Sequence, residues 1–490
     1  MTARGPASAD PRAALDRLMQ QGRFADVIGL YGALPAKERR RPALVNTYAC
    51  ALILTRNPGK AARVLRDIPA GQRSADNWIN LCAVTIQLGN PDEALGLLER
   101  ALTRFPGNQA LLLTKSRCLA DLGRDADAYE AALAALAAGE DDASLFAAGR
   151  AADRLRRPDE AIDYYRGALA LNPGHGAAAN NLNMLYMQTR RFAEAWDLAE
   201  TAMHSPANRA HYRRYFSAGC QPWEGGPLDG RRLHVIGDQG VGDQIMMSQF
   251  LKNLGRFRPE RVCVYLDPRL NGLFERWFRT DMDIGFLAWP REPAFDRHDR
   301  KLALSSLPNH TMREAGDFPR KPFLTGIPVR EPLSGPAGRA VFGLSWWSSG
   351  LAGAERSLDL EELAAALLDQ EADFLSLQYA PEAAGAARLK GLMGDRLIVR
   401  EDLDCTNDFI GMAETVRRLR GVVSVPNTTV HIAGAVGAAT GVLLPAEPSW
   451  RYVSNDDRMI WYGDHIALLK QREGVDLKTR IGTFIGNLAP

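Results

Sequence analysis

The chain has 490 residues, room for about three domains and a large buried core. Its 60 Lys and Arg stand against 58 Asp and Glu, so no charge-driven nucleic-acid partner is expected. Six cysteines, at 50, 82, 118, 220, 263 and 405, include no C-x-x-C pair, which argues against a zinc ribbon or a disulfide framework and predicts buried thiols in a reducing compartment. The opening residues, MTARGPASADPRAALDRLMQ, lack the apolar core of a secretory signal, and no run of about 18 apolar residues follows. A soluble, cytoplasmic protein without a membrane span is the expectation.

Residues 1–206 are rich in Ala and Leu and repeat themselves. One small apolar position per unit, at Val27, Ala61, Ala94, Ala128, Ala161 and Ala195, recurs with spacings of 34, 33, 34, 33 and 34 residues. That period, with Pro106, Pro173 and Pro206 closing units, resembles the tetratricopeptide repeat. Trp78, Leu81, Gly89, Ala94, Ala101 and Pro106 make the third unit the closest match, and Tyr165, Ala168 and Pro173 support the fifth. About six helical hairpins are predicted, each too small to bury its apolar face alone, so that neighbours stack into a superhelix with a groove suited to peptides. Asn180, Asn181 and Asn183 either face that groove or belong to solvated surface.

Residues 207–230 are aromatic, Pro/Gly-rich and aperiodic, and read as a linker. Beyond them, apolar runs at 233–236, 261–266, 341–346, 374–378, 397–399, 422–425 and 441–444 alternate with helical stretches, the pattern of a doubly wound, mostly parallel sheet. A second Pro/Gly-rich break at 326–338 divides this region into halves at 231–325 and 339–490. Ligands of such a fold belong in the crevice at the carboxyl ends of the strands.

In the first half, LHVIGDQGVGDQIMMSQF runs from a strand through Gly237, Gly240 and Gly242 into a helix, placing Asp243 at that crevice. The glycine spacing is not the dinucleotide fingerprint, and ordinary strand-to-helix punctuation is the competing reading. In the second half, Asn427, Thr428 and Thr429 stand at a helix start, where free amides and the positive end of the dipole can hold a diphosphate, with His431 on the first turn. A plain N-cap before a tightly packed helix is the alternative there.

From Pro222 to about Leu488 the chain resembles the glycosyltransferase domain attached to tetratricopeptide repeats in many bacterial proteins, related to the heptosyltransferases and more remotely to the O-linked N-acetylglucosamine transferases. The matching pieces are PWEGGPLDGRRL, the Gln239–Asp243 turn, Gly343-Leu344-x-Trp346, Arg356-Ser357-Leu358, Ser376-Leu377-Gln378, His431-x-Ala433-Gly434-Ala435, Pro448-x-Trp450-Arg451 and Trp461-Tyr462. The resemblance implies a GT-B fold of two Rossmann-like halves after the repeats. Such a fold binds a nucleotide-sugar co-substrate through the C-terminal half, with no metal and no further cofactor. It implies that Asp243 is the general base, with Gly240, Gly242 and His310 on the acceptor side. Ser348, Ser349, Gly350, Arg356, Gln378, Asn427, Thr428, Thr429 and His431 would bind the donor. Pro426 replaces the family's usual Asp and Asn427 its usual Thr, and WSSGLAGAE lacks the usual lysine, so Arg356 or Arg451 has to supply the cation on the phosphates.

The implied activity is transfer of sugar to Ser or Thr hydroxyls of a protein acceptor bound by the repeats, as in flagellin glycosyltransferases. The alternatives are a repeat scaffold with a decayed transferase domain and a heptosyltransferase-like enzyme of lipopolysaccharide synthesis. Other candidates have plainer readings. Asp402-Leu403-Asp404 is a loop D-x-D triplet, Cys405 a buried thiol, His234 a packed histidine, Trp346 core, and Trp347 a pocket residue.

Overall fold

The computed structural model describes residues 10–204, 208–290, 295–328, 330–349, 357–379, 383–446, 448–452, 457–472 and 474–488. It divides into two compact units, 1–185 and 186–490.

The first unit is built from helical hairpins. Five are complete: Pro11–Gln20 with Phe24–Ala33, Pro42–Leu54 with Pro58–Arg66, Ala75–Gln87 with Pro91–Arg104, Gln109–Asp121 with Asp125–Ala138, and Asp142–Arg154 with Pro158–Leu171. The next helix, Gly176–Gln188, is followed by Phe192–Met203 at the start of the second unit. Val27, Ala61, Ala94, Ala128, Ala161 and Ala195, the residues that reveal the period, are all fully buried. A small side chain there lets adjacent helices approach closely. The turn between paired helices passes through positive φ at Gly22, Arg56, Gly89, Gly123, Arg156 and Arg190, which keep the same spacing. Arginine at three of these left-handed positions accepts a cost of about 1 kcal/mol that glycine avoids. Proline opens the second helix at Pro58, Pro91 and Pro158, where a missing amide N–H costs nothing. Asn181 donates to the Tyr165 hydroxyl at 3.0 Å, so it braces its neighbouring hairpin.

The second unit carries two sheets. Its strands are β1 (Gln221–Pro222), β2 (Arg232–Ile236), β3 (Arg261–Tyr265), β4 (Ile284–Phe286), β5 (Arg300–Ala303), β6 (Val341–Ser345), β7 (Asp373–Ser376), β8 (Leu397–Ile398), β9 (Gly421–Ser424), β10 (Thr440–Leu443), β11 (Arg458–Met459) and β12 (Gly463–Leu469). The first sheet has the order β1-β5-β2-β3-β4 and the second β11-β12-β10-β9-β6-β7-β8. All pairs are parallel except β11 with β12. The architecture is therefore a helical repeat array followed by an α/β region with two parallel sheets.

Central strands such as β6, VFGLS, are buried along their whole length, as parallel strands covered on both faces must be. Phe342, Leu344, Trp346, Phe374 and Val423 join one core beneath helices Leu360–Leu368 and Leu477–Gly486. This packing leaves the loops after β2, β6, β7 and β9 at the carboxyl edges of the sheets.

Candidate functional site

The site grows from two strand-to-helix turns. After β2 the chain turns through residues 237–240 into the helix Val241–Ser248, capped by Gly240. Gln244 fixes the turn: its Nε2 donates to the Gln239 carbonyl and its Oε1 accepts from the Asp267 amide, both at 2.7 Å. After β9 the chain enters the helix Thr428–Val436, and Asn427 caps it by accepting from the Thr429 amide at 3.0 Å. The amides of each first turn have no partner within their helix and carry the positive end of its dipole.

These two helices meet at Gly242, where an added Cβ would lie 2.8 Å from His431 Cδ2. The glycine in the turn is thus required by the helix from the other sheet. Around the contact lies a cavity of about 450 Å³ lined by Gly240, Gly242, Asp243, Ser348, Ser349, Asn427, Thr428, Thr429 and His431, nine of the thirteen residues the sequence nominated as site residues. Arg451 and Tyr452 close it.

Asp243 and Arg451, 208 residues apart in sequence, form a bidentate pair in this cavity. Arg451 Nε contacts Oδ1 and Nη2 reaches Oδ2 at 2.8 Å, with the carboxylate side chain 13% and the guanidinium side chain 26% exposed. The guanidinium also lies over the Trp450 ring at 4.6 Å, and the Arg451 carbonyl accepts from Trp461 Nε1 at 2.8 Å. Burial works against the arginine's charge, but Asp243 outweighs it and holds Arg451 above its ordinary pKa. His431 is the reverse case. Burial pulls it down to about 4, and its ring nitrogens are engaged by the Tyr462 hydroxyl at 3.1 Å and the Tyr452 hydroxyl at 3.4 Å. It therefore shapes the wall as a neutral imidazole and brings no charge to an anion.

Asn427 does more than cap its helix. Its Nδ2 donates to Ser345 Oγ at 2.8 Å and to the Trp347 carbonyl at 3.1 Å, tying the ends of β6 and β9 together. Ser348 Oγ donates to the carbonyl of Pro426 at 3.2 Å, so proline at that position is built into the turn through its carbonyl. Ser349 is exposed, with its amide on the Tyr379 hydroxyl at 2.9 Å.

Three nominated residues stand apart from the cavity lining. Gln378 does not line the cavity: its Oε1 accepts from Ser345 Oγ and from the amides of Trp346 and Trp347, at 3.1, 3.0 and 3.0 Å, so it braces the end of β6 from β7. His310 is likewise not directed into the cavity. It sits on the helix Leu307–Thr311 with its ring 4.6 Å from that of Trp223, close against Gly225, so the PWEGG turn takes it up. Trp347 packs beside the core of the second sheet and 5.6 Å from the Tyr379 ring, also outside the cavity lining. Gly350 and Arg356 lie outside the described residues.

The plainer candidates have structural roles. Asp402 pairs with Arg400, and Asp404 accepts from the Thr406 and Asn407 amides. Among the described residues no cluster of three or more His, Cys, Asp or Glu is placed to hold a metal ion. Burial pushes the Cys405 thiol up to about 12, far from a thiolate nucleophile. His234 is buried between Asp299 and the Tyr265 hydroxyl, at 3.0 and 3.1 Å.

Sequence reasoning missed Arg269, Tyr379, Thr406, Phe409 and Met412, which also line the cavity. Arg269 donates to the Thr406 carbonyl at 3.0 Å, pairs with Asp267 and lies 5.6 Å over Phe409. Its position on the first turn of the helix Pro268–Trp277, after β3, was the available signal: that turn is another carboxyl edge of the first sheet.

Comparison with known proteins defines the repeats. Residues 85–152 and 143–175 match two family profiles, each described as "Tetratricopeptide repeat". The chain carries tetratricopeptide repeats. It is distantly related to "Protein FlbA" of Caulobacter vibrioides, being 26% identical over 471 residues that cover 91% of this chain and 72% of that protein. A thermophilic tetratricopeptide-repeat protein of Thermus thermophilus shares 19% identity over 37% of this chain and 100% of its own, with a TM-score of 0.34. The MamA protein of AMB-1 shares 24% over 33% of this chain and 96% of its own, with a TM-score of 0.28. Repeats of this kind imply interaction with protein partners. Among the described residues no helix is long and apolar enough to cross a membrane.

Proposed function

We propose that this protein is a metal-independent glycosyltransferase of GT-B architecture, moving sugar from a nucleotide sugar to a Ser or Thr hydroxyl of a protein recruited by repeats in residues 1–206. The facing halves would be 231–325 and 339–490, joined by 326–338, with 207–230 linking them to the repeats. The observation that carries this reading is one cavity, at the carboxyl edges of two parallel sheets, onto which two helix N-termini, a carboxylate and two arginines converge.

In this mechanism the donor diphosphate lies at the Thr428 amide and the positive end of its helix, beside Ser348 and Ser349. Arg451 provides the cation that the missing lysine would have supplied. The acceptor oxygen attacks the anomeric carbon as the bond from that carbon to the phosphate oxygen breaks. Asp243 takes the acceptor proton, and the leaving diphosphate keeps the bonding electron pair, its charge held by Arg451 and the helix dipole. Gly240, where a Cβ would meet nothing closer than Asp243 Oδ2 at 3.7 Å, leaves room for the acceptor beside Asp243.

The scaffold reading has one observation in its favour, the occupation of both Asp243 oxygens by Arg451. Incubation of the purified chain with candidate nucleotide sugars and flagellin separates the two. Sugar incorporation by the wild type and its loss in Asp243→Ala is the expected result. Equal incorporation by both removes Asp243 from the mechanism, and no binding of any nucleoside diphosphate in calorimetry favours the scaffold.

A further inference from the structure

While the Asp243–Arg451 pair stands, one guanidinium occupies both oxygens of the proposed base. The guanidinium takes one lone pair of each oxygen, so an acceptor hydroxyl has to compete with it for the carboxylate. The same guanidinium borders the cavity that holds the amide-rich start of the helix Thr428–Val436, where a diphosphate would sit. The neutral His431 beside it offers no competing cation. Arg269, the other arginine on this wall, is already committed to Asp267 and the Thr406 carbonyl. A nucleoside diphosphate carries more negative charge than one carboxylate and accepts a guanidinium in the same two-pronged geometry.

We propose that Arg451 couples the two substrates: a bound nucleoside diphosphate draws the guanidinium off Asp243, and only then is the carboxylate open to the acceptor. The coupling rests on the transferase reading above and adds an order to it. With the donor absent the base is closed. With the donor present Arg451 stabilises the leaving group and Asp243 receives the proton, so one movement serves both ends of the reacting bond. Loss of the product diphosphate lets Arg451 return. Arg451 is a positioning residue with respect to Asp243, and Trp450 and Trp461 keep it within reach of both partners.

The test is calorimetric titration of the full chain with inorganic pyrophosphate. If diphosphate competes with Asp243 for Arg451, Asp243→Asn binds pyrophosphate about tenfold more tightly than the wild type, while Arg451→Gln binds about tenfold more weakly. Removing a carboxylate also helps any nearby anion, so the decisive measurement is Asp243→Asn in the Arg451→Gln background, where the gain should shrink to that general part, well below tenfold. An equal gain in both backgrounds, or weaker binding by Asp243→Asn alone, overturns the coupling and leaves the diphosphate site standing. A wild type that binds neither pyrophosphate nor any nucleoside diphosphate overturns the transferase reading itself. A crystal of the wild-type chain soaked in pyrophosphate tests the same movement without variants: a guanidinium on phosphate supports the coupling, and one still bidentate on Asp243 beside bound phosphate refutes it.

Discussion

Replacing Gly242 with Ala should force apart two helices that have no room to separate. The new Cβ would lie 2.8 Å from His431 Cδ2, well inside contact distance. His431 is held by Tyr462 and Tyr452 and is only 3% exposed, so its ring cannot swing away. Nor can its helix retreat, because a Cβ at Gly434 on that helix would already fall 2.5 Å from the Tyr462 ring. Overpacking of this kind costs about 1–3 kcal/mol. In a unit of this size that lowers Tm by roughly 2–5 °C. Gly240→Ala, two residues earlier, is the control. Gly240 has φ −60° and ψ 162°, open to any residue, and a Cβ there meets nothing closer than Asp243 Oδ2 at 3.7 Å. Its stability should change by about 0.5 kcal/mol or less. Scanning calorimetry of both variants reads the difference, and pyrophosphate titration should show binding weakened in Gly242→Ala alone. If the two melt alike, the close helix contact is not what demands glycine at 242.

Two buried groups should pull the pH dependence of stability in opposite directions. His431 titrates near 4 in the fold, so the unfolded chain takes up its proton first; its stabilisation is complete above about pH 6.5 and falls by about 3 kcal/mol as the pH drops toward 4. Asp238, which burial pushes up to about 6 although Ser305 donates to it at 3.1 Å, keeps its proton longer than the unfolded chain does. Its stabilisation is complete below about pH 4 and falls by about 3 kcal/mol as the pH rises through 6. Urea melts at pH 4.5, 5.5 and 6.5 should therefore show stability falling with rising pH in His431→Asn and falling with acid in Asp238→Asn; matching slopes would contradict both assignments. Asn427→Ala should cost about 2–3 kcal/mol, because it uncaps the Thr429 amide and takes a donor each from the Trp347 carbonyl and Ser345 Oγ, leaving both to Gln378 alone. Asn427→Asp, which keeps the cap but loses both donors, should recover only part of that loss in the same melts.

Much of this molecule is legible in the sequence because its elements are local. The repeat period could be read at Val27, Ala61 and Ala94 because a helix crossing admits only a small or compact side chain, and the α/β strands read from the sequence, such as β6 and β9, are continuous apolar runs. The elements missed are short or differently patterned. β1 and β4 span two and three residues, β5 opens with Arg300 and Lys301, and β12, paired with an antiparallel edge strand, mixes buried with half-buried positions and opens on Gly463, Asp464 and His465. Within the site, the two helix starts were legible because Gly240–Gly242 and Asn427–Thr429 are contiguous signatures. Gln378 and His310 stand outside the cavity lining for a common reason: a strand or helix end fixes where the backbone goes, while the partner that captures the side chain comes from elsewhere in the chain. Arg451 and Asp243 illustrate this most strongly, since nothing local in Pro448-x-Trp450-Arg451 points to a carboxylate 208 residues away.

That pair also bears on whether the site has decayed. A partly buried ion pair is a poor stabilising device, since desolvation consumes much of the Coulombic gain, and well-packed apolar replacements are often neutral or stabilising by about 1–4 kcal/mol. Drift in a scaffold freed from catalysis would have little reason to keep Asp243 and Arg451 together at a cavity wall, or to satisfy Asn427 completely beside them. The double substitution Asp243→Leu with Arg451→Met measures this directly. If the pair serves ligand binding, the variant should melt at or above the wild-type temperature while losing pyrophosphate affinity. A variant that melts several degrees lower and still binds pyrophosphate as the wild type does would make the pair a structural clasp, and would return the scaffold reading to first place.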